Sequence, residues 1–419
     1  MNSYPLPELL APAGDEERLR AAIEYGADAV YLGADRFGMR TAAAHFGDDS
    51  LKAACDYAHR HSVKVYLTCN TVPRNNEIDE LPSFLAFAQD CGVDAFIITD
   101  IGVLLEAKKY APKVDIHIST QAGITNYASA KAFFDMGATR IVTARELSLS
   151  EIAEIRDKCP PELEIESFVH GAMCVSFSGR CLLSNYMTGR DSNRGDCAQP
   201  CRWNYALTEE KRPGEYFPVE QDGTGTYIMN SRDMCMIDHI ADLYHAGINS
   251  FKIEGRAKSA YYTAVTVNAY RCALDAFRES GFDPDFRPEK WISDELLRVS
   301  NREYCTGFYY TSPLDDAQIY YKGGYVRTWE VAAVADEYKN GVLYATQRNR
   351  FFEGEELEVM SAGKKPFTVK VTGLRNADGE AIDNAPHPMM KLSFNCPVRI
   401  TEGSYLRRIK DPENRKESL

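Results

Sequence analysis

Five cysteines are concentrated in one glycine-rich stretch of the sequence, residues 166–235. The chain has twelve cysteines, and those in this stretch are Cys174, Cys181, Cys197, Cys201 and Cys235. Thiolates are soft donors for metal ions, and glycines allow the backbone to turn tightly around a bound group. The composition of this stretch therefore predicts a buried metal centre.

The spacing of these cysteines distinguishes between two kinds of metal centre. Six, fifteen, three and thirty-three residues separate consecutive members of the set. Structural zinc sites pair their ligands with about two to four residues between them, and only Cys197 and Cys201 meet that rule. A cluster of four irons instead takes four thiolates from separate segments. The spacing favours an iron–sulfur cluster over zinc and leaves one cysteine spare.

The remaining cysteines are scattered singly and are expected to be small buried apolar residues. They are Cys55, Cys69, Cys91, Cys159, Cys272, Cys305 and Cys396. The cysteine-rich stretch also carries the aromatic side chains Phe177, Tyr186, Trp203 and Tyr205. These rings could stack on an unpaired base or shield the cluster from water, and the sequence does not choose between the two roles.

Short apolar strand patterns alternate with amphipathic helical patterns from the N-terminus to about residue 280. The predicted strands are residues 9–12, 29–33, 63–69, 95–99, 115–119, 140–143, 163–169 and 250–254. The predicted helices include residues 16–25, 51–61, 77–91, 101–110, 128–136, 149–158 and 236–245. The cysteine-rich stretch must therefore be positioned by strands and helices that alternate along the chain.

A weak internal repeat supports this alternation. The segments YGADAVYLG, CGVDAFIITD, MGATRIVTA and AGINSFKIEG each place a glycine between the end of a helix and the next strand, as a helix C-cap does. Eight such units predict an α/β fold with a TIM-like (β/α)8 barrel, and the cysteine-rich stretch is inserted between the seventh and eighth strands. A doubly wound open sheet is the alternative, but no GxGxxG motif follows the first strand.

Barrels of this kind carry their functional residues at the C-terminal ends of the strands. The residues there are Asn70, Asp100, Gln121, Arg145, Glu146, His170, Glu254 and Arg256. As a set they are expected to line a pocket, although each alone could be a loop residue or a helix cap. The candidates for catalysis are Asp100, His170, Glu254 and Arg256, and the candidates for binding a small co-substrate are Gln121 and Arg145.

The chain is expected to have a second domain after the barrel. The barrel is predicted to occupy residues 1–285, with a Pro- and Tyr-rich connector at residues 286–325. In residues 326–410 the pattern changes to period two, with turn signals between six short strands. This pattern predicts a small antiparallel β-barrel that either binds nucleic acid or caps the larger barrel. Its basic residues are Lys364, Lys365, Arg407, Arg408 and Lys410, and a tail follows at residues 411–419.

Composition limits the possible partners. The 419 residues carry a net charge of −13, which argues against a general polyanion-binding protein, although a local basic patch can still contact nucleic acid. No apolar run approaches the roughly 18 residues of a membrane span, and the N-terminus lacks the features of a signal peptide. We therefore expect a cytoplasmic protein with no membrane partner, in which the thiols stay reduced.

Several motifs resemble those of the collagenase-like peptidases of family U32. The segment ESFVHGAMCVSFSGRCLLS is similar to the diagnostic motif of that family, and GDCAQPCRWNY extends the similarity. The segments LLAPAGDEERLRAAIEYGADAVYLG, FKIEGR and TGFYY are also similar. The resemblance covers the whole chain, and its length and single terminal barrel look most like the branch that hydroxylates transfer RNA.

This resemblance implies an iron–sulfur-dependent hydroxylase that works without oxygen. In that branch the product is 5-hydroxyuridine at the tRNA wobble position and prephenate is required, whereas other branches hydroxylate ribosomal RNA or ubiquinone precursors. A [4Fe–4S] cluster is implied, with Cys174, Cys181, Cys197 and Cys235 as ligands and Cys201 as the neighbour that could replace Cys197. The implied partners are tRNA, a small-molecule hydroxyl donor with prephenate as co-substrate, and a second protein of the same family.

Two other functions stay open on the sequence. A peptidase would match the family's name, but the sequence has no HExxH or GxSxG motif, and the local pair available to a cysteine protease is His170 with Cys174. Cluster ligation would remove Cys174 as a nucleophile. The third hypothesis is a non-catalytic RNA-binding factor with a structural cluster.

Overall fold

Eight parallel strands close into a barrel, which confirms the predicted fold class. The computed structural model describes residues 4–38, 46–174, 181–190, 192, 196–203, 207–208, 216–217, 232–310 and 325–410. The strands up to the end of the barrel are β1 (Glu8–Pro12), β2 (Ala29–Gly33), β3 (Lys64–Cys69), β4 (Ala95–Ile98), β5 (Asp115–Ile118), β6 (Arg140–Val142), β7 (Glu164–Ala172), β8 (Leu207–Thr208), β9 (Tyr216–Phe217), β10 (Asp233–Cys235) and β11 (Ser250–Ile253). Strands β1 to β7 pair in chain order, and β11 pairs with both β1 and β7, so these eight strands close on themselves.

Helices follow the barrel strands and cover the outside. They are α1 (Glu16–Glu24), α2 (Asp48–Arg60), α3 (Asn75–Ile78), α4 (Leu81–Asp90), α5 (Ile101–Tyr110), α6 (Tyr127–Asp135), α7 (Leu149–Lys158), α8 (Leu183–Thr188), α9 (Ile240–His245), α10 (Ala260–Glu279) and α11 (Lys290–Glu295). Polar N-caps start several of them, because a side-chain oxygen there satisfies an amide that has no partner inside the helix. Asp15, for example, accepts from the amide of Arg18 at 2.9 Å.

Two helical predictions differ from the structure. The single helix expected at residues 77–91 is divided into α3 and α4, and Pro82 lies in the first turn of α4. Proline has no amide to donate to the carbonyl four residues earlier, so one continuous helix cannot pass through this position. The prediction also missed α10, which is 20 residues long and buried around most of its surface. Its amphipathic pattern is no weaker than those of the predicted helices α4 to α7, so the sequence did carry a signal for it.

The C-terminal region forms an antiparallel sheet of seven strands rather than six. After β12 (Tyr304–Cys305), the strands are β13 (Trp329–Lys339), β14 (Val342–Gln347), β15 (Glu356–Met360), β16 (Phe367–Lys370), β17 (Thr372–Asn376), β18 (Lys391–Asn395) and β19 (Tyr405–Ile409). One predicted strand is divided at Val371 into β16 and β17, which lie at opposite edges of the sheet. Since a single residue joins the two edges, the sheet curls strongly. The tail and residues 311–324 of the connector lie outside the described residues.

The curled sheet packs directly on the barrel. Met360 and Tyr405 of the sheet belong to the same apolar core as the barrel helices. The Tyr25 hydroxyl donates to the carbonyls of Met360 at 3.2 Å and Gly403 at 3.0 Å. Arg407 is fully buried and bonds both carboxylate oxygens of Glu295 at 2.7 Å. These contacts fix the sheet against one side of the barrel.

Membrane insertion of a described helix is not supported. Even the 20-residue α10 lacks the apolar character of a membrane-spanning segment, and the other helices within the described ranges are shorter.

Candidate active site

The strand ends bring several predicted residues to one face of the barrel. Asn70 follows β3 and donates from Nδ2 to Oε1 of Gln121, beyond β5, at 2.8 Å. Arg256 lies beyond β11 and donates from Nη1 to Oγ1 of Thr68 on β3 at 3.1 Å. Side chains from β3, β5 and β11 therefore meet across the mouth of the barrel, where the sequence placed them as a set.

Glu254 lies at the junction of β11 and β7. Its side chain is buried, and Oε2 accepts from the amide of Ala172 at 3.3 Å. Gly171 has a φ of 110°, and a Cβ atom built on it would stand 2.7 Å from the carbonyl oxygen of Glu254. Only glycine combines that backbone conformation with so close an approach. The glycine thus allows the end of β7 to lie against Glu254.

Arg145 approaches the same junction from β6. Its Nη1 donates to the carbonyl of Ala172 at 3.0 Å, and its guanidinium carbon lies 3.9 Å from the centre of the Phe168 ring. The ring stabilises the cation through its negative face. A guanidinium held in this way at the barrel mouth is suited to binding a carboxylate or phosphate.

His170 lies away from the barrel mouth. The register of β7 against β11 shifts between Lys252 and Ile253, so that His170 pairs with Ile253 on the helix-facing side of the sheet. Its ring is surrounded by the rings of Tyr262, Tyr270 and Tyr304 at centroid distances of 6.0, 5.6 and 5.3 Å. Burial lowers the pKa of His170 to about 3. The imidazole is therefore neutral and enclosed at physiological pH.

Asp100 acts as a helix cap. Its side chain accepts from the amide of Val103 at 3.2 Å and so begins α5. This is the role that the sequence left open as an alternative to catalysis.

A charged network on the inside of the barrel escaped the sequence analysis. At the end opposite the mouth, Arg140 Nη1 contacts Glu8 Oε1 at 2.6 Å and Glu166 Oε2 at 3.2 Å. Lys252 Nζ lies 2.6 Å from Glu166 Oε1, and the Tyr66 hydroxyl donates to Glu8 Oε2 at 2.6 Å. We refer to these five residues as the floor network. The sequence did contain a signal for this network, namely charged residues within otherwise apolar strands. Strand positions that face the inside of a barrel are normally apolar, so a charge there must be paired.

The cysteine-rich stretch leaves the barrel after β7 and returns through β10. Strand β10 pairs antiparallel with the end of β7, and Cys235 lies opposite His170. Cys174 is exposed and follows β7 by two residues, Cys197 is also exposed, and Cys181 is half-buried. Of the seven scattered cysteines that were expected to be buried, six are buried and Cys272 is half-buried.

Two of the predicted ligands accept backbone amide hydrogen bonds at sulfur. The amide of Leu183 lies 3.3 Å from Cys181 Sγ, and the amide of Gln199 lies 3.4 Å from Cys197 Sγ. Each donor stands two residues after its cysteine. Such bonds stabilise negative charge on sulfur and tune sulfur-ligated clusters.

Cys235 also has a backbone amide two residues later that interacts with its sulfur, and this thiol is buried. Burial raises the pKa of its thiol to about 12, while the amide of Ile237, again two residues later, acts in the opposite direction. A metal ion would reverse the effect of burial, because coordination deprotonates the thiol.

The donor set fits a [4Fe–4S] cluster in kind, since the four predicted ligands are all cysteines and iron–sulfur clusters are held by cysteine thiolates. No three His, Cys, Asp or Glu side chains converge to hold a metal ion within the ranges that the structure describes. Cys174, Cys197 and Cys235 are close in sequence to segments outside those ranges, which also include Phe177 and Tyr205.

A cleft of about 740 Å³ connects the barrel mouth with the curled sheet. Ala172 and Glu254 line its barrel side, and Gln199 of the cysteine-rich stretch lines it as well. Trp329 and Arg348 line it from the sheet. The cysteine-rich stretch, the strand ends and the second domain therefore share one solvent-accessible space.

Comparison with known families agrees with this architecture. The model described as peptidase family U32 matches residues 14–318, and the model described as the peptidase family U32 C-terminal domain matches residues 327–407. The chain belongs to peptidase family U32. The resemblance drawn from the cysteine motifs is thus confirmed.

Relatives of this U32 protein are named for RNA hydroxylation. It is 35% identical to tRNA hydroxylation protein P1 of Bacillus subtilis over 405 residues. This match covers 96% of this chain and 94% of that protein. It is 37% identical to tRNA hydroxylation protein P of Escherichia coli, with 91% of each chain covered. The 23S rRNA 5-hydroxycytidine C2501 synthase of Escherichia coli is 38% identical over 66% of this chain and 40% of that protein. The expectation that this U32 protein is an enzyme is confirmed by these relatives.

Proposed function

We propose that this protein is an RNA hydroxylase that forms 5-hydroxyuridine at the wobble position of tRNA. The observation that carries the proposal is the shared cleft, in which Gln199 of the cysteine-rich stretch and Glu254 of the barrel mouth face the same space. Relatives of nearly the same length are named for tRNA hydroxylation, which supports tRNA over ribosomal RNA as the substrate.

The proposed cofactor is a [4Fe–4S] cluster held by Cys174, Cys181, Cys197 and Cys235. When bound, such a cluster transfers single electrons, which hydroxylation without oxygen requires. The amide bonds to the sulfurs of Cys181 and Cys197 support these two as thiolate ligands. The four thiols, rather than a disulfide, are the form that the cluster needs.

The proposed binding site for the small co-substrate is the barrel mouth. Prephenate is a dicarboxylate, and the guanidinium groups of Arg145 and Arg256 lie at the ends of β6 and β11, where either can bind a carboxylate. The hydrogen bond between Asn70 and Gln121 at 2.8 Å holds the opposite wall of the mouth in place. In this proposal Glu254, fixed by the amide of Ala172, lies between the co-substrate and the cysteine-rich stretch and can accept a proton there.

Exposed aromatic side chains support an approach of RNA to the cysteine-rich stretch. Tyr186 is 81% exposed and Trp203 is 43% exposed. Side chains that shielded a cluster from water would be buried. Exposed rings are instead available for stacking on an unpaired base.

A cysteine peptidase has less support. Both ring nitrogens of His170 lack a hydrogen-bond partner within the described residues, and three tyrosine rings surround this imidazole. Cys174 is exposed beyond the end of β7. The pair that a peptidase would use therefore does not form a nucleophile hydrogen-bonded to its base.

Mass spectrometry of tRNA nucleosides tests the proposal. A strain without the gene should lack 5-hydroxyuridine, the wild-type gene should restore it, and Cys181→Ser should not. The matched control is Cys272→Ser, because Cys272 is a half-buried thiol on α10 outside the stretch. Unchanged 5-hydroxyuridine in the deletion strain would refute the proposed function.

The cluster itself is tested on protein purified without oxygen. The wild-type protein and Cys272→Ser should carry about four irons per chain, and Cys174→Ser or Cys181→Ser should lose them. Comparing Cys197→Ser with Cys201→Ser identifies the remaining ligand. A colourless wild-type protein with one zinc would exclude the cluster.

A further inference from the structure

The cleft contains more positive charge than its carboxylates neutralise. Its lining includes the cations Lys258, Arg298, Arg327, Arg348 and Lys410. Arg298 is paired with Glu295 and Glu358, and Arg348 with Glu17. Of the other two lining carboxylates, Glu330 is paired with Arg408 at 2.9 Å, outside this set of cations, and Glu254 accepts from the amide of Ala172 at 3.3 Å. Lys258, Arg327 and Lys410 have no ion-pair partner among the described residues.

One tyrosine ring, that of Tyr325, lies beside two of these cations, Lys258 and Arg327. Lys258 Nζ lies 4.1 Å from the centre of the Tyr325 ring. The guanidinium carbon of Arg327 lies 6.0 Å from the same ring, and its Nε donates to Ser300 Oγ at 3.2 Å. Gathering like charges costs free energy that cation–π contacts offset only in part. An anion bound between them would remove this cost.

Overall composition does not account for this positive surface. The chain has a net charge of −13, so a random surface patch is expected to be acidic. The basic residues in question come from the loop after β11, from the segment before β13 and from the end of β19, which are far apart in the sequence. Their convergence on one cleft is therefore specific to the fold.

We propose that this cleft binds the phosphodiester backbone of RNA beside the target nucleotide, through Lys258, Arg327 and Lys410. The inference rests on the proposed function for its choice of polyanion. The cleft continues to Ala172 and Glu254 at the barrel mouth and to Gln199 of the cysteine-rich stretch. Phosphates in the cleft would position the RNA, while the exposed rings of Tyr186 and Trp203 receive its bases.

A charge-reversal pair tests this inference. The cleft variant is Arg327→Glu with Lys410→Glu. The control is Lys364→Glu with Lys365→Glu, two exposed lysines in the turn between β15 and β16 that do not line the cleft. Both doubles change the net charge equally. The probe is the unmodified tRNA, with affinity measured by fluorescence anisotropy between about 50 and 200 mM salt.

The cleft variant should bind the tRNA at least about tenfold more weakly than the control. A plot of the logarithm of affinity against the logarithm of salt concentration has a negative slope. In the cleft variant its magnitude should decrease by about two, one for each lost phosphate contact. Thermal unfolding of both doubles checks that each is folded. Equal affinities for the two doubles, or an unchanged salt slope, would overturn the inference.

Nucleoside analysis in cells separates this inference from the proposed function. If the wild-type gene restores 5-hydroxyuridine but the cleft variant keeps full RNA affinity and full modification, the inference fails and the hydroxylase stands. If the cleft variant keeps RNA affinity but loses modification, the cleft serves a small anion, and the inference again fails. If the wild-type gene restores no modification, the proposed function fails, and the anisotropy measurement still decides whether the cleft binds RNA.

Discussion

The floor network and the cleft both gather cations, but both cations of the floor network are paired with carboxylates, whereas three cations of the cleft have no such partner among the described residues. Arg140 and Lys252 contact carboxylates at 2.6 to 3.2 Å. In the cleft, Lys258 and Arg327 lie against a tyrosine ring with no carboxylate paired to them among the described residues. Buried charges persist in a folded protein only when they are paired. Charges in contact with water need no partner within the protein and stay available to bind a ligand. The floor therefore stabilises the barrel, and the cleft binds something from outside.

The largest expected effect on stability is in the floor network. In Arg140→Met, Glu166 keeps Lys252, but the mostly buried Glu8 loses the one cation paired with it among the described residues. The free energy of unfolding should fall by about 3–5 kcal/mol, as measured by urea denaturation. Arg20→Met, which removes an exposed helical pair with Glu16, is the control and should change it by less than about 0.5 kcal/mol. Equal effects would show that the floor is not a structural unit.

A smaller loss is expected where the sheet meets the barrel. In Arg407→Met, Glu295 loses a bidentate partner but keeps Arg298, whose Nη1 lies 3.0 Å away. Because a partner remains, we expect a loss of about 2 kcal/mol. Urea denaturation of the double variant Arg407→Met with Glu295→Leu provides the check. The double should recover part of the loss, and a further decrease would contradict this account.

The pH dependence of stability should report on the floor as well. Burial alone would raise the pKa of Glu8, but Arg140, Tyr66 and Ser250 outweigh it and hold the pKa below the usual 4.5. A carboxylate with a lowered pKa in the folded state stabilises the protein above its unfolded pKa, and this stability is lost as pH falls. Stability should therefore decline below about pH 4.5, and Glu8→Gln should make the decline shallower. An identical decline in both proteins would exclude Glu8 as its source.

The smallest effect on stability is expected in the cleft. Lys258→Met removes a cation that has no carboxylate partner among the described residues, so the free energy of unfolding should change by no more than about 0.5 kcal/mol. Binding of tRNA should nevertheless weaken. A loss of stability comparable to that in Arg140→Met would mean that Lys258 is structural and would remove the contrast between the two regions.

Local patterns in the sequence determined the main architecture. Strands such as residues 29–33 and 95–99 were recognised because each apolar run is short and is followed by a helical pattern. The cysteine-rich stretch and its place between two barrel strands were also evident, since spacing and strand order are properties of the chain itself. The division at Pro82 shows the limits of periodicity alone.

Only the tertiary structure decided which charges act and which are neutralised. The sequence analysis counted Arg407 and Arg408 among the basic residues of the second domain, but both are paired with glutamates in the folded chain. It treated His170 as a mouth residue, and a register shift in β7 turned it toward three tyrosines instead. Arg140 and Glu8 are 132 positions apart, and no local pattern specifies so distant a pair. Burial and charge pairing depend on contacts that form only when the barrel closes and the sheet packs on it.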